Sequence, residues 1–414
     1  MSTRILAMVM AGGEGSRLHP LTAHRSKPSI PFGARYRIVD FVLSNLINSQ
    51  IHAIYLLVQY KSQSLIEHVR KSWVISPVIP DHFVTVVPPQ MHEGPEWFLG
   101  TADAVYQNLN LIEQYEPELV AVFGFDHVYR MDVSRMVKFH RAISADATMA
   151  ALPVPIERAS AFGIIATADD GRVVAFQEKP ARPDPIPDDP GRAYASMGNY
   201  LFNADILIAA LREAHCRQEH DFGHHVLPCL LRTHRLYAYD FSNNKVPGTK
   251  PYEEGAYWRD IGDIDMYFAA HQDLLGPEPR FDLFNPRWPI YSSNYGGPGA
   301  RIIHGEIHNS VLAAGTVING ATVRNCVIHR EVVMEERAEL TDCIIMDHVL
   351  IKRGARLQRT IVDRNNIIEA GTVIGYDTET DRSRYHITPA GITLVPEGLR
   401  GPQMISFLET YMLE

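Results

Sequence analysis

The chain has 414 residues, enough for two or three domains with a substantial core. Lys and Arg number 39 against 48 Asp and Glu, a net charge of −9 with no basic stripe, which argues against a nucleic-acid partner. The four cysteines (Cys216, Cys229, Cys326, Cys343) are too few for a disulfide scaffold; no apolar run reaches a membrane span and the N-terminus lacks a signal-peptide pattern, so a cytoplasmic location without membrane attachment is expected.

Residues 5–10 (ILAMVM) are predicted as a strand that opens into Ala11-Gly12-Gly13-Glu14-Gly15-Ser16-Arg17-Leu18. A glycine loop at a strand's end presents bare backbone N–H groups that bind anions and lets a phosphate come close. Arg17 and, in Arg25-Ser26-Lys27-Pro28, Lys27 add positive charge, and a helix beginning after Arg17 is expected to add its dipole. This is neither a P-loop nor the dinucleotide fingerprint, because Arg17 and Leu18 replace the latter's last glycine.

Strands are expected at 53–59, 83–87, 119–124, 147–153 and 173–178, with helices at 38–49, 61–72, 102–114 and 133–143. That alternation predicts an α/β domain, a mostly parallel sheet with helices on both faces. The strand at 119–124 delivers Asp126 to the sheet's C-terminal edge. There it either caps the next helix or, facing phosphate, needs a cation such as Mg²⁺. Phe176-Gln177-Glu178-Lys179-Pro180 ends the last of these strands, and the proline is expected to hold Lys179 extended. Lys179 either meets a sugar phosphate or forms a solvated pair with Glu178. Residues 180–190 form a proline-rich loop. His215, Cys216, His220, Asp221, His224, His225 and Cys229 are dense in donors but lack the tight cysteine spacing of a zinc site. Tyr257-Trp258-Arg259-Asp260 supplies a second carboxylate that either shares a metal with Asp126 or pairs with Arg259.

The pattern breaks at 276–300, which carry five prolines and the run Tyr295-Gly296-Gly297-Pro298-Gly299; the domains are therefore expected at 1–275 and 301–414, with a linker between. Beyond it Val311, Ile328, Ile345 and Val362 recur every 17 residues, as do Val323, Leu340 and Leu357, and Val333, Leu350 and Ile367. Cys326 and Cys343 share the period. Aliphatic ladders at nearly three hexads predict a parallel β-helix of triangular section, whose coils bury their faces by stacking.

These segments together resemble the bacterial ADP-glucose pyrophosphorylases, the glucose-1-phosphate adenylyltransferases, over nearly the whole chain. The matching motifs are AGGEGSRL, RSKP, RIVDFVLSN (37–45), GTADAVYQNL (100–109), DHVYRMD (126–132), FQEKP (176–180), ASMGNY (195–200), HDFG (220–223) and YWRDIG (257–262). The resemblance implies a Rossmann-like nucleotidyltransferase domain, a C-terminal left-handed β-helix and a homotetramer. It implies the reaction ATP plus α-glucose 1-phosphate giving ADP-glucose and pyrophosphate, the glucose-activating step of glycogen synthesis, with Mg²⁺ as cofactor. Carried over by motif, Arg17 and Lys27 bind ATP phosphates, and Gly12, Gly13, Gly15, Gln90 and Gly100 line the nucleotide. Asp126 and Asp260 hold the metal, Lys179 binds the sugar phosphate, and Glu178, Ser196, Asp221 and Phe222 contact glucose. The basic cluster that senses small anionic effectors in such enzymes corresponds to His24, Arg25, Arg37, Arg364, Arg382 and His386.

The chain departs from that family at Met91, often Gln; at Phe98, commonly Tyr; and at Phe125, usually small. Two effector positions are histidines, His24 and His386, which predicts weaker or pH-dependent activation. Rival readings are a nucleotidyltransferase for another nucleotide and sugar, and a regulatory subunit without chemistry. Against the latter stand Arg17, Lys27, Asp126, Lys179 and Asp260, all present.

Overall fold

The computed structural model describes residues 3–75, 78–90 and 97–398. The positions of Met91 and of the C-terminal residues 407–414 lie outside them.

The first 270 or so residues build on β1 (Ile5–Ala11), α1 (Ile38–Asn48), β2 (Ala53–Val58), α2 (Gln63–Ser72) and β3 (Phe83–Val87). Then follow α3 (Thr101–Tyr106), β4 (Leu119–Gly124), β5 (His127–Tyr129), α4 (Val133–Ala142), β6 (Ala147–Pro155), β7 (Gly163–Thr167), β8 (Val173–Glu178) and β9 (Arg192–Asn203). Strands β3-β2-β1-β4 pair parallel in that order, so all four deliver their C-terminal ends to one edge. The long β9 lies antiparallel beside β4 and carries β6, β7 and β8 on its far side, making the sheet mixed. Aliphatic residues face both ways from β1: Leu6 and Met8 enter one core, Ala7 and Val9 the other. Strands covered on both faces need such continuous apolar runs.

Two expected elements change. No helix follows Arg17; Ser16–Leu18 form only a 3₁₀ turn, and the first true helix is α1. The helix expected over 102–114 is broken into Thr101–Tyr106 and Leu109–Tyr115. The Asn108 side chain donates to the Ala104 carbonyl at 2.8 Å, the local bonding by which Asn competes with a helix backbone.

From Arg301 onward the chain winds as a parallel β-helix. Its ladders run Val327–Ile344–Ile361, Val333–Leu350–Ile367 and Leu340–Leu357–Ile374. The 17-residue period holds for these coils but not for the first: Val311 pairs with Val327, and Leu312 with Ile328, a step of 16. Cys326 and Cys343 are buried free thiols inside the coils.

The linker segment lies along α1. Asn48 Nδ2 donates to the Pro289 carbonyl at 2.9 Å, Tyr291 N to Ser44 Oγ at 2.8 Å, and Ser292 Oγ to Asp40 Oδ2 at 2.6 Å. The β-helix joins the same core: Ile344, Met346, Ile361 and Leu394 pack with Leu18, Leu21, Phe32 and Phe41. Among the described residues no helix is long and apolar enough to cross a membrane.

Candidate active site

The glycine loop leaves β1 at the parallel edge. Gly15 adopts φ +66°, and a Cβ there would come within 3.1 Å of Lys27 Cβ, so glycine lets the loop close onto the lysine stem. Thr22 Oγ1 pins the loop by donating to the Gly15 carbonyl at 3.0 Å. Lys27, nearly buried, opens a 3₁₀ turn preorganised by Pro28.

Two carboxylates meet that lysine. Asp126 follows β4 directly. Asp260 arrives because β5 pairs antiparallel with β10 (Trp258–Asp260), which sets Asp260 opposite His127. Lys27 Nζ lies 2.7 Å from Asp126 Oδ2 and 3.7 Å from Asp260 Oδ1. His127 Nε2 is 3.4 Å from Asp126 Oδ1, its ring leaning on Trp258 at 4.5 Å. Burial opposes ionisation of Asp126, but His127 and Lys27 override it and hold its carboxyl well below the usual range. Asp126, His127 and Asp260 form a group of ligand atoms within 4.8 Å of one another. Arg17 closes the other side: a Cβ on Gly262 would stand 3.5 Å from Asp260 Oδ2 and 3.7 Å from an Arg17 guanidinium nitrogen.

Phe125 packs in the core behind the metal-donor group instead of entering the cleft. Gln59, at the end of β2, donates to the Phe98 carbonyl at 3.3 Å and accepts from Phe98 N at 2.6 Å. Sequence reasoning passed over Gln59 and His127, although Gln59 leaves its strand at the same edge as Asp126. Gly12 touches Gln59: a Cβ there would sit 3.5 Å from the Gln59 Cβ. Gly13 stands open, with nothing within 4 Å of a Cβ. Gln90 is exposed and donates to the Pro88 carbonyl at 2.7 Å.

A second set of residues gathers on the β8–β9 side. Glu178 ends β8, and its Oε2 would lie 3.1 Å from a Cβ on Gly163 and 3.5 Å from one on Gly223. Lys179 is not extended as the proline suggested. It takes φ +44°, ending the strand, and its ammonium lies 3.5 Å from Glu178 Oε1 with the side chain 65% exposed. In β9 the pairing register shifts between Ser196 and Tyr200, with Gly198 at φ +67°. Such a bulge re-aims side chains, and Ser196 Oγ here meets Tyr200 Oη at 3.2 Å. Asp221 caps the turn at Phe222–Val226, accepting from His224 N at 3.0 Å. The Phe222 ring does not reach the cleft: it is buried against Tyr200 and Phe202.

The effector positions separate into two kinds. Arg25 is buried and occupied: it lies 2.5 Å from Asp363 Oδ1, 2.6 Å from Oδ2 and 3.3 Å from Glu397. Both carboxylates belong to the β-helix, and the other guanidinium nitrogen lies 3.8 Å from Met346 Sδ. Arg364 bonds Glu397 at 2.7 Å, and Arg37 donates to the Ser29 carbonyl. His24, Arg382 and His386 are exposed.

A parallel-edged α/β domain with a glycine loop and a Lys–Asp–Asp cluster defines a nucleotide-handling transferase. Residues 6–276 match the nucleotidyl transferase family model, and residues 298–395 match the GlmU-like C-terminal hexapeptide model, the left-handed β-helix. The chain is 55% identical over 398 residues to the glucose-1-phosphate adenylyltransferase of Thermodesulfovibrio yellowstonii, covering 96% of this chain and 97% of that one. It is 46% identical over 417 residues to that of Thermus thermophilus (97% of this chain, 100% of the relative) and 45% over 408 residues to that of an Anaeromyxobacter species (96% and 99%). The chain belongs to the glucose-1-phosphate adenylyltransferase family of nucleotidyl transferases.

Proposed function

We infer that this chain is a glucose-1-phosphate adenylyltransferase that converts ATP and α-glucose 1-phosphate to ADP-glucose and pyrophosphate. The observation that carries this reading is the meeting of Lys27, Asp126 and Asp260 at the parallel edge, in a chain 55% identical along nearly its whole length to an enzyme of that name.

A phosphate oxygen of glucose 1-phosphate attacks the α-phosphorus of ATP, and the bond to the β-phosphate oxygen breaks. The nucleophile is already ionised near neutrality, so the protein's task is positioning and charge neutralisation. The loop of Gly12, Gly13 and Gly15 offers N–H groups to the triphosphate, with Gln90 and Gly100 beside the nucleotide. Arg17 and Lys27 balance charge on the leaving pyrophosphate. Lys179 holds the sugar phosphate, while Glu178, Ser196, Asp221 and the backbone at Phe222 orient the glucose. Asp126 and Asp260 would hold Mg²⁺. Their oxygen donors suit a hard cation, and their joint hold on the Lys27 ammonium supports a site made for positive charge. When bound, the metal supplies charge neutralisation at the phosphate oxygens.

The same reading extends to regulation and assembly. Small anionic effectors would bind near His24, Arg37, Arg364, Arg382 and His386, with Arg25 as a structural tie to the β-helix. Activation by fructose 1,6-bisphosphate is expected to be weak, because two of these positions, His24 and His386, are histidines instead of lysine or arginine. A cytoplasmic homotetramer is proposed, with residues 1–275 as the catalytic domain, 276–300 as the linker and 301–414 as the C-terminal domain.

The test is pyrophosphate release across ATP, UTP, dTTP and GTP with several sugar 1-phosphates. The ATP and glucose 1-phosphate pair is expected to dominate. A preference for another pair, or no turnover with any, would overturn the reading.

A further inference from the structure

We propose that Thr101 is a positioning residue that couples the sugar and nucleotide halves of the cleft. The inference rests on the function proposed above and names a residue that reading does not use.

The segment Gly100–Asp103 and the segment His220–Phe222 are locked together. The backbone N–H groups of Ala102 and Asp103 donate to the His220 carbonyl at 2.9 and 3.2 Å. This approach requires glycine at 100, where a Cβ would lie 2.3 Å from the His220 oxygen. Thr101 adds the side-chain part of the clasp. Its hydroxyl donates to Asp221 Oδ2 at 3.0 Å and accepts from Phe222 N at 3.0 Å. One hydroxyl can do both at once, having one donor and two acceptor sites. The other oxygen of Asp221 accepts from His224 N at 3.0 Å, so the carboxylate is held from both sides.

The nucleotide-side end is braced as well. Asp103 Oδ2 accepts from Leu99 N and from Gln107 Nε2, both at 2.8 Å. Gln59 holds Phe98, one residue before Leu99, from the end of β2. An unbroken set of hydrogen bonds therefore runs from β2, through 98–103, to the carboxylate proposed to orient glucose. A substrate that orders one segment orders the other, and the second substrate then binds with less to organise. Such coupling is reciprocal: glucose 1-phosphate must tighten ATP by the factor with which ATP tightens glucose 1-phosphate.

Thr101→Val keeps the shape and removes the hydroxyl; Thr101→Ser keeps the hydroxyl. The Val variant is expected to raise the KM for glucose 1-phosphate about 5- to 20-fold, with kcat changed about 2-fold or less. It is also expected to abolish the dependence of the ATP KM on glucose 1-phosphate concentration, while the Ser variant retains both properties. A Val variant with wild-type KM and intact substrate coupling would overturn the proposal. So would a Ser variant that fails as Val does, which would make the clasp a packing feature only. Wild-type protein releasing no pyrophosphate from ATP and glucose 1-phosphate would instead overturn the function on which the proposal rests.

Discussion

Two aspartates at different depths do opposite work. Asp126 faces the cleft and holds Lys27, whereas Asp40 is wholly buried and collects four donors. These are His68 Nε2 at 2.6 Å, Trp73 Nε1 at 2.8 Å, Ser292 Oγ at 2.6 Å and Arg37 N at 2.9 Å. An ionised carboxylate is acceptor-only, so it suits four donors; an amide would turn its own N–H groups on two of them. Asp40→Asn is expected to destabilise the protein by about 3 kcal/mol, read from the denaturant midpoint. A change under about 1 kcal/mol would mean that the network relaxes around the amide. Asp126→Ala should leave stability nearly intact while lowering kcat/KM by about 3–4 kcal/mol of transition-state stabilisation. Near-wild-type turnover at saturating Mg²⁺ would remove Asp126 from the proposed machinery. Asp126 was legible in the sequence because a strand ends just before it. Asp40 was not, because its partners come from α2 and from a linker some 250 residues away.

At the scale of elements, the helix Ile264–Gln272 meets the β-helix through histidines that must stay neutral. His271 Nδ1 donates to the Tyr267 carbonyl at 2.9 Å, and its Nε2 accepts from Gly33 N at 3.2 Å. A proton on Nε2 would face that N–H. Burial accordingly pushes His271 down to about 3 and His329, 6.3 Å away, down to about 4. Asp347 and the cations Arg37, Arg330 and Arg25 also act on His329, the first raising its pKa and the others lowering it. Groups whose folded pKa lies below the unfolded value stabilise the native state above about pH 6.5 and lose that contribution as pH falls toward 4 and below. Stability measured by thermal unfolding should therefore decline between about pH 6.5 and 4, by a few kcal/mol in total. His271→Gln, which keeps one donor and one acceptor, should flatten the decline; an unchanged pH profile would place the titration elsewhere.

For the whole molecule, the decisive fact is that catalytic domain and β-helix share one apolar cluster and a buried ion pair. Arg25 sits two residues before Lys27 and is held by Asp363 of the β-helix. Removing one member of a buried pair leaves the other charge uncompensated, so Asp363→Asn should cost about 3–5 kcal/mol and disturb the segment that carries Lys27. Both domains should unfold in a single calorimetric transition; two resolved transitions would show that the shared cluster does not couple them.

The amino-acid sequence by itself determined the α/β alternation, the parallel β-helix and the glycine loop after β1, because each is written in local periodicity or in glycine placement. It also marked Asp126, Glu178 and Lys179, since each stands at a strand's end. Only the tertiary structure decided that Asp260 reaches Lys27, because that depends on β5 pairing with a strand far along the chain. Only it decided that Lys179 turns to positive φ, that the first coil steps by 16, and that Arg25 pairs with Asp363 of the β-helix. For Asp260 and Arg25 the outcome rests on a partner distant in sequence, whose burial and charge no local pattern encodes.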